Sequence, residues 1–437
     1  MKSFRIDFDE AISHDNVKEA ILKPSLGKRN REDVAKILAE LETSIEYIQD
    51  MLRNHEFKPR KHEKNVINEK GPHKQREIIK PDYMPEQIVH HVAVSSIKSA
   101  VLYGMYPYVL GSIPGRGAHS GKKRIEKWLR EDPEHTRVCG KADIHHFFQS
   151  IDHEKLRAWL RKKIRPGEIR DLIDIIIDAI EMGLPLGFYT SQWLANFFLQ
   201  DLDWYIKQEL HIKYYTRYMD DIVLFGANKK EMHRAIRAIQ EFLAKKGLEM
   251  KKDWQVFKFA YEQEELAITC ESLRELQELD SVLKIKHKCK MHKGKRKIFI
   301  QARAYERKQK EVDALLARYR GHGERIMMEH GRLLDYMGFL FYRDHTEIRE
   351  SIMIRATRKA AQIGRSERIC WKQASSMLSY MGYITNTDTY GMYLERIKPN
   401  VNIKTMKKIV SKHQRRLNNA NRMEESGRNP GNQASCN

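Results

Sequence analysis

Apolar positions along the chain change period several times, and each change predicts an element. Residues 1–55 space apolar side chains three and four apart among charges, as in VAKILAELETSIEYIQDML, which predicts one or two amphipathic helices. The next stretch, KPRKHEKNVINEKGPHKQREIIKP, is basic and carries β-branched pairs around Gly71-Pro72, predicting strands joined by a hairpin. MPEQIVHHVAVSSIKSAVLYGMY returns to helical spacing, and the turn GSIPGRGAHSGKK runs into a helix at RIEKWLRE. The centre then predicts a strand at RVCGKADI and helices at HEKLRAWLRKKI and EIRDLIDIIIDAIEM. A loop at GLPLGFYTS opens the helix SQWLANFFL, a strand–turn–strand follows at KYYTRYMDDIVLFG, and the helix EMHRAIRAIQEFLAKKG leads to the segment LEMKKDWQVF. This order, β-α-α-β-turn-β-α-β, suits a small antiparallel sheet with helices on one face.

Beyond it the pattern weakens. Residues 258–330 are rich in Lys, Arg and Glu with few large apolar clusters, predicting long exposed helices and a basic strand pair around KCKMHKGKRKIFIQ. The last hundred residues read as helical and basic, and the polar, Gly/Asn-rich end NNANRMEESGRNPGNQASCN reads as a disordered tail. No internal repeat is visible.

Composition narrows the function. Eighty Lys+Arg against 59 Asp+Glu give the 437 residues a formal charge of +21, which favours a polyanionic partner: nucleic acid ahead of an anionic membrane surface. The bland alternative is charge that merely serves solubility. A 41% hydrophobic content argues against wholesale disorder, and no apolar run approaches the roughly 20 residues of a spanning helix. The start, MKSFRIDFDEAIS, has acids where a secretory signal needs an apolar core, so export is not expected. Cys139, Cys270, Cys289, Cys370 and Cys436 are scattered without CxxC pairs, which disfavours a zinc site or disulfide framework and fits a reducing cytoplasm.

The candidate chemistry is acidic. Asp143 ends a short strand in KADIHHFF, and Asp220 and Asp221 sit between two β-prone runs in YMDDIVLF. Adjacent acids in a tight turn between apolar strands repel one another unless a cation neutralises them. Three carboxylates converging from two strands suit a pair of Mg²⁺ ions about 3.5–4 Å apart, the arrangement used in phosphoryl transfer. Taken singly, each has an ordinary reading: Asp-Asp is common turn chemistry, and Asp143 fits a helix N-cap. Together, and in this order, they favour chemistry.

On these residues the chain resembles the reverse transcriptases, RNA-directed DNA polymerases of the right-hand fold. Tyr218-Met219-Asp220-Asp221 matches their Tyr-x-Asp-Asp motif, and Asp143 with Phe148 five residues on matches the strand bearing the first metal ligand. The resemblance runs in motif order from about residue 60 to 257 and resumes near 335. It implies an α+β fold with N-terminal helices (1–55), fingers (56–140), a ferredoxin-like antiparallel palm with finger elements (141–257), a basic insertion (258–330), a helical thumb and basic C-terminal helices (331–420), and a disordered tail (421–437). It also implies that Asp143, Asp220 and Asp221 are catalytic and hold two Mg²⁺ ions, for which Mn²⁺ would substitute, with the carbonyl of Ile144 helping one ion. Phe148 would exclude a ribose 2′-OH, and Lys74 and Arg76 would hold the incoming triphosphate. Arg116, in PGRGAHSG, would touch the template or fingertip loop.

Leu186-Gly187-Phe188-Tyr189-Thr190-Ser191-Gln192 replaces the more usual Gln-Gly-x-x-x-Ser-Pro and looks like the diversity-generating retroelement type, which copies template RNA with errors opposite adenines. There Gln192 would bear on the base pair and Ser191 on the nucleic acid; Ser191 also reads as the helix N-cap. LLDYMGFLFYRDHTEIR resembles the palm–thumb junction, with Tyr336, Met337 and Phe339 behind a primer grip and Arg349 toward backbone phosphate. The pattern departs at Trp254, where relatives carry Lys; Lys251 or Lys252 would substitute. The tail lacks paired cysteines and HNH-type spacing, so a maturase-like DNA-binding or endonuclease domain is not expected. The resemblance implies template RNA, an RNA/DNA duplex and dNTPs as partners, a small basic accessory protein beside them, no membrane, and a cytoplasmic protein encoded by a bacterium or phage. A defence-associated or uncharacterised bacterial reverse transcriptase with non-standard priming or templating is the alternative. A non-catalytic RNA-binding protein of the same fold, a DNA-templated polymerase and a template-independent transferase remain open beside these.

Overall fold

The computed structural model describes residues 3–29, 31–60, 64–68, 75–270, 288–292, 295–301 and 323–426, with scattered positions between 274 and 317. Its N-terminal apolar spacing resolves into four helices, Phe8–Ala11, His14–Ser25, Glu32–Ala39 and Leu41–Arg53. That is more than the one or two expected, and the run VAKILAELETSIEYIQDML breaks at Glu40, whose backbone (φ −115°, ψ 48°) leaves the helical region. The predicted basic strands form: β1 (Lys64–Asn68) and β2 (Gln75–Ile79) pair antiparallel, with Lys64 opposite Ile79 and Ile67 opposite Arg76, while the turn predicted at Gly71-Pro72 lies outside the described residues. Helices Ile88–Leu102 and Ala118–Glu131 follow.

The central sheet is antiparallel. β3 (Val138–His145) lies between β5 (Asp221–Gly226) and β6 (Glu249–Met250); β4 (Tyr214–Tyr218) pairs with the outer edge of β5, and β7 (Gln255–Lys258) also pairs with β3. Helix Lys229–Lys245 packs on β3, β5 and β6, covering their apolar face. Side-chain caps fix where helices start. Asp152 accepts from the amide of Lys155 before helix His153–Lys163, and Asn228 accepts from that of Glu231 before Lys229–Lys245. One buried cluster joins the N-terminal helices, Ile88–Leu102 and this sheet, from Ala11 to Met250. The mixed helix and sheet content fits a polymerase of the reverse transcriptase kind.

Two compact units divide the chain: residues 1–256 with 335–437, and residues 257–334. The smaller unit corrects an expectation in part. At 261–270 and 323–330 strands stand where helix was expected, within a four-stranded antiparallel sheet in the order β11 (Gly323–His330), β8 (Tyr261–Cys270), β10 (Lys295–Gln301), β9 (Lys288–His292), while most of 271–287 and 302–322 lies outside the described residues. Helical backbone is described only at scattered positions between 274 and 317. Lys, Arg and Glu favour helix intrinsically, but here register wins: Ile298, Phe299 and Ile300 of β10 stand opposite Ile268, Ala267 and Leu266 of β8, and those three β8 residues are buried. The predicted basic strand pair is β9–β10.

In the larger unit, the stretch read as helical begins instead with a three-stranded sheet, β12 (Leu334–Tyr336), β13 (Phe339–Phe341) and β14 (Thr346–Ile348). Helices Glu350–Gly364, Trp371–Ile384 and Ile403–Ser426 follow around a second cluster that includes Met353, Ala360, Met377 and Ile397. The last helix reaches Ser426, past the expected start of the disordered tail; residues 427–437 lie outside the described residues. No helix among the described residues is long and apolar enough to cross a membrane.

Candidate functional site

Register brings the predicted acids together. In the β3–β5 pairing Asp143 stands directly opposite Asp221, and the amide of Ile144 donates to the carbonyl of Asp220 at 3.3 Å. Tyr218 and Asp221 close the β4–β5 hairpin, so Met219 and Asp220 form its turn. Met219 carries the turn with φ +57°, a left-handed backbone rare outside glycine. Three carboxylates from two adjacent strands therefore meet at one end of the sheet.

That meeting is electrostatically costly. Burial pushes the Asp221 carboxyl up to about 6; Asp143 and Asp220 add to the rise, while Lys141 and Lys251 oppose it. Oδ1 of Asp221 is buried with no hydrogen-bond partner. Lys251 is the cation of the LEMKKDW segment that reaches the site: its ammonium lies 2.6 Å from Oδ1 of Asp143, and its amide donates to the Asp143 carbonyl at 2.8 Å. Among the described residues no group of three His, Cys, Asp or Glu side chains is arranged as a metal cage. The orphaned oxygen of Asp221 facing Asp143 nevertheless makes a hard, anionic donor set, which fits Mg²⁺.

Other predicted residues sit around this centre in different ways. Phe148 is half-buried, its ring 5.4 Å from that of Phe147, and its carbonyl accepts from Leu184 at 2.6 Å. Lys74 and the side chain of Arg76 lie outside the described residues; the backbone of Arg76 is in β2. Strand β2 is tied to the LGFYTSQ loop, since the amide of Ile79 donates to Leu186 O at 2.8 Å. Gly187 makes that approach possible: at φ +118° its Cβ position would lie 1.9 Å from Ile79 O. The helix after the loop spans Tyr189–Phe198 with Phe188 at its N-cap, which corrects the reading of Ser191 as the cap. Ser191 is buried and its hydroxyl unpartnered, whereas Gln192 is exposed in the first turn. Behind them His90 Nδ1 meets Thr190 Oγ1 at 2.8 Å, and His91 stacks on Tyr189 with ring centroids 3.9 Å apart.

Arg116 and Arg349 are engaged within the fold. Arg116 donates from one guanidinium nitrogen to the carbonyls of Tyr106 at 2.9 Å and Val109 at 3.4 Å. Arg349 donates from Nε to Asp335 at 2.6 Å, while Lys141 donates to the Asp335 carbonyl at 2.8 Å. Tyr336 is fully buried and its hydroxyl donates to the carbonyl of Asp221 at 3.2 Å, which couples the β12–β13 hairpin to the acidic strand.

Sequence reasoning missed the layer beneath the turn. Arg217 and Asp203 form an ion pair with both side chains fully buried, Nε to Oδ1 at 2.8 Å and Nη2 to Oδ2 at 2.7 Å. Tyr215 donates to the same carboxylate at 2.6 Å. Burial works against the Arg217 charge, but Asp203 outweighs it and the guanidinium stays firmly ionised. A signal was present: strand pairing puts Arg217 among buried neighbours in YYTRY, where an arginine demands a partner.

Residues 91–265 match the family described as Reverse transcriptase (RNA-dependent DNA polymerase). Residues 91–265 thus form a reverse transcriptase domain. Among solved structures the chain is similar to one titled "Structure of apo telomerase from Candida Tropicalis truncated from C-terminal domain". The two share 12% identity at a TM-score of 0.35, over 45% of this chain and 49% of that one. The chain spans about half the length of that structure's chain. No curated protein matches it.

Proposed function

We propose that this chain synthesises DNA on an RNA template by two-metal nucleotidyl transfer. The observation that carries the reading is the register that sets Asp143 opposite Asp221 beside the left-handed Met219-Asp220 turn, within a reverse transcriptase domain. Asp143, Asp220 and Asp221, with the Ile144 carbonyl, would hold the two Mg²⁺ ions. When bound, these neutralise charge on the attacking 3′-oxygen and the departing pyrophosphate. The chain's own residues position the rest. Lys74 and Arg76 hold the triphosphate through charge-assisted bonds, and Phe148 fills the space a ribose 2′-OH would need. Gln192, exposed at the start of its helix, faces the nascent base pair, with Ser191 beneath it. Arg116 orders the 106–117 turn against the template, and Arg349 tracks backbone phosphate. In hand terms, β1–β2 belong to the fingers, the central sheet is the palm and the helices after residue 350 form the thumb, with 257–334 inserted between.

The finer reading is an error-prone enzyme of the diversity-generating kind, supported by the LGFYTSQ segment, whose Gly187 seats the loop directly on β2. A template RNA of the same element and a small basic protein would be its partners. The test is primer extension on poly(rA)/oligo(dT) and on a heteropolymer RNA, in Mg²⁺ and then Mn²⁺, beside Asp220→Asn/Asp221→Asn, with products sequenced. Extension lost in the double variant supports the polymerase, and errors concentrated at template adenines support diversification. Accurate products point to a defence-type enzyme. Equal extension by the double variant refutes the assignment of the acids.

A further inference from the structure

The β4–β5 turn carries the two acids, yet its backbone conformation is unfavourable for the methionine at its tip. Something beneath the turn must hold it. Three groups touch Met219 from below. Arg217 Nη1 donates to the Met219 carbonyl at 2.8 Å, and the same nitrogen donates to Asn196 Oδ1 at 3.1 Å. Asn196 Nδ2 donates to Gly111 O at 2.8 Å and lies 3.4 Å from the Met219 sulfur. Gly111 closes the third side: its Cβ position would fall 2.7 Å from Met219 Cγ and 2.9 Å from the Met219 amide. Arg217, Asn196 and Asp203 are all fully buried, and Asp203 takes both remaining arms of the guanidinium.

We propose that Arg217, anchored by Asp203, and Asn196 are positioning residues: Arg217 grips the Met219 carbonyl, Asn196 braces that guanidinium and the Met219 side chain, and together they set where Asp220 and Asp221 stand relative to Asp143. The carbonyl Arg217 grips belongs to the peptide that leads into Asp220, so rotation of that peptide moves the carboxylate directly. A guanidinium suits the task because its planar fork holds Asp203 with one edge while a separate nitrogen reaches the carbonyl. A lysine at 217 keeps the charge for Asp203 but has no rigid second arm. The packing of Gly111 makes the same point sterically, since any added methyl must displace Met219. The inference deepens the proposed polymerase reading and rests on it for its consequence, but the clamp itself is a statement about geometry and cation binding.

The test compares full-length wild type with Arg217→Lys, Asn196→Ala and Gly111→Ala. Tyr83→Phe serves as a stability control, because it removes a buried hydroxyl that donates to the Ile21 carbonyl far from the turn. Each protein is assayed for Mn²⁺ binding by electron paramagnetic resonance without nucleic acid, for melting temperature, and for single-turnover extension across a Mg²⁺ titration. The clamp predicts Mn²⁺ affinity down about tenfold in Arg217→Lys and Gly111→Ala, and extension down roughly ten- to a hundredfold at limiting Mg²⁺ with partial recovery at high Mg²⁺. Tyr83→Phe melts earlier but stays within about twofold on both measures. Arg217→Lys binding Mn²⁺ within twofold of wild type overturns the proposal, as does a loss that merely follows melting temperature across all variants. If Arg217→Lys does not fold, Gly111→Ala and Asn196→Ala decide between the same two results. Wild type that binds Mn²⁺ but extends no primer would refute the polymerase reading alone, with the Mn²⁺ comparison still deciding the clamp.

Discussion

Replacing Gly187 by alanine tests how the hairpin strand β2 is held against the loop before helix Tyr189–Phe198. Two costs arise. The residue sits at φ +118°, where an L side chain pays about 1–2 kcal/mol. The new Cβ would stand 1.9 Å from Ile79 O, well inside the roughly 3.5 Å of ordinary contact, so β2 must withdraw by more than 1 Å. Withdrawal breaks the bond from the Ile79 amide to Leu186 O, worth about 0.5–1.5 kcal/mol. Together these predict that docking of β2 weakens by about 2–3 kcal/mol, so the Ile79 amide exchanges with solvent roughly 30- to 140-fold faster. Gly115→Ala is the control, because Gly115 has φ +74° and nothing within 4 Å of its Cβ position: it carries the conformational cost without the clash. Hydrogen exchange resolved at Ile79, with the dNTP KM measured in parallel, checks both halves. KM should rise several-fold with kcat nearly unchanged, since β2 carries Arg76. Exchange at Ile79 equal in Gly187→Ala and Gly115→Ala would falsify the account of β2 docking.

Three further outcomes follow from individual environments. Asp221→Asn should stabilise the metal-free protein while abolishing extension. A carboxyl raised to about 6 destabilises the fold once ionised, a penalty absent below pH 3.8 and complete above about pH 6, so in EDTA the gain should be about 2–3 kcal/mol at pH 8 and vanish near pH 3.5; calorimetry at both pH values checks it. His91, whose pKa burial lowers to about 4 with Lys28 and Lys23 assisting, favours its neutral form in the fold. Its stability contribution is therefore intact above pH 6.5 and lost on descent toward pH 4, and His91→Phe, which keeps a ring against Tyr189, should remove roughly 3 kcal/mol of acid sensitivity in urea titrations at pH 7 and 4. Arg116→Ala should lower stability by about 1–3 kcal/mol in the absence of nucleic acid, because the Tyr106 carbonyl loses its 2.9 Å donor; an unchanged melting temperature would assign Arg116 to the template alone.

How much of this was legible depended on whether the signal was local. The strand pair flanking Gly71-Pro72, the strand carrying Asp143 (which runs two residues past it, to His145) and the strand–turn–strand at Asp220 were readable because alternation and turn residues lie within a few positions of each other. In the smaller unit's sheet the β9–β10 pair was readable, but β8 and β11 were not. In YEQEELAITC the charges fill the first half of the strand and hide the alternation, and the partner that buries Leu266 and Ile268 lies some thirty residues away. The β12–β14 sheet escaped for a related reason: its strands are three residues long, too short to show a period. Ser191 was misplaced as a cap because the helix starts two residues earlier, at a position with no side-chain cap to announce it.

The site divides along the same line. Residues proposed to act through their own side chains, Asp143, Asp220 and Asp221, stand out because acids among apolar strand residues are locally improbable. Residues that act through someone else's backbone do not. Arg217 grips the carbonyl of Met219, Tyr336 that of Asp221, and Asn196 that of Gly111, and a carbonyl has no letter in the sequence. Even so, an arginine in a buried strand position leaves a trace, because removing its partner would strand a charge in the interior. The search that trace invites is for a buried acid within reach, and Asp203, fourteen residues earlier in the short helix Gln200–Trp204, is the one that answers it. Motif residues name the chemistry; the unmotivated buried ion beside them marks what holds that chemistry in place.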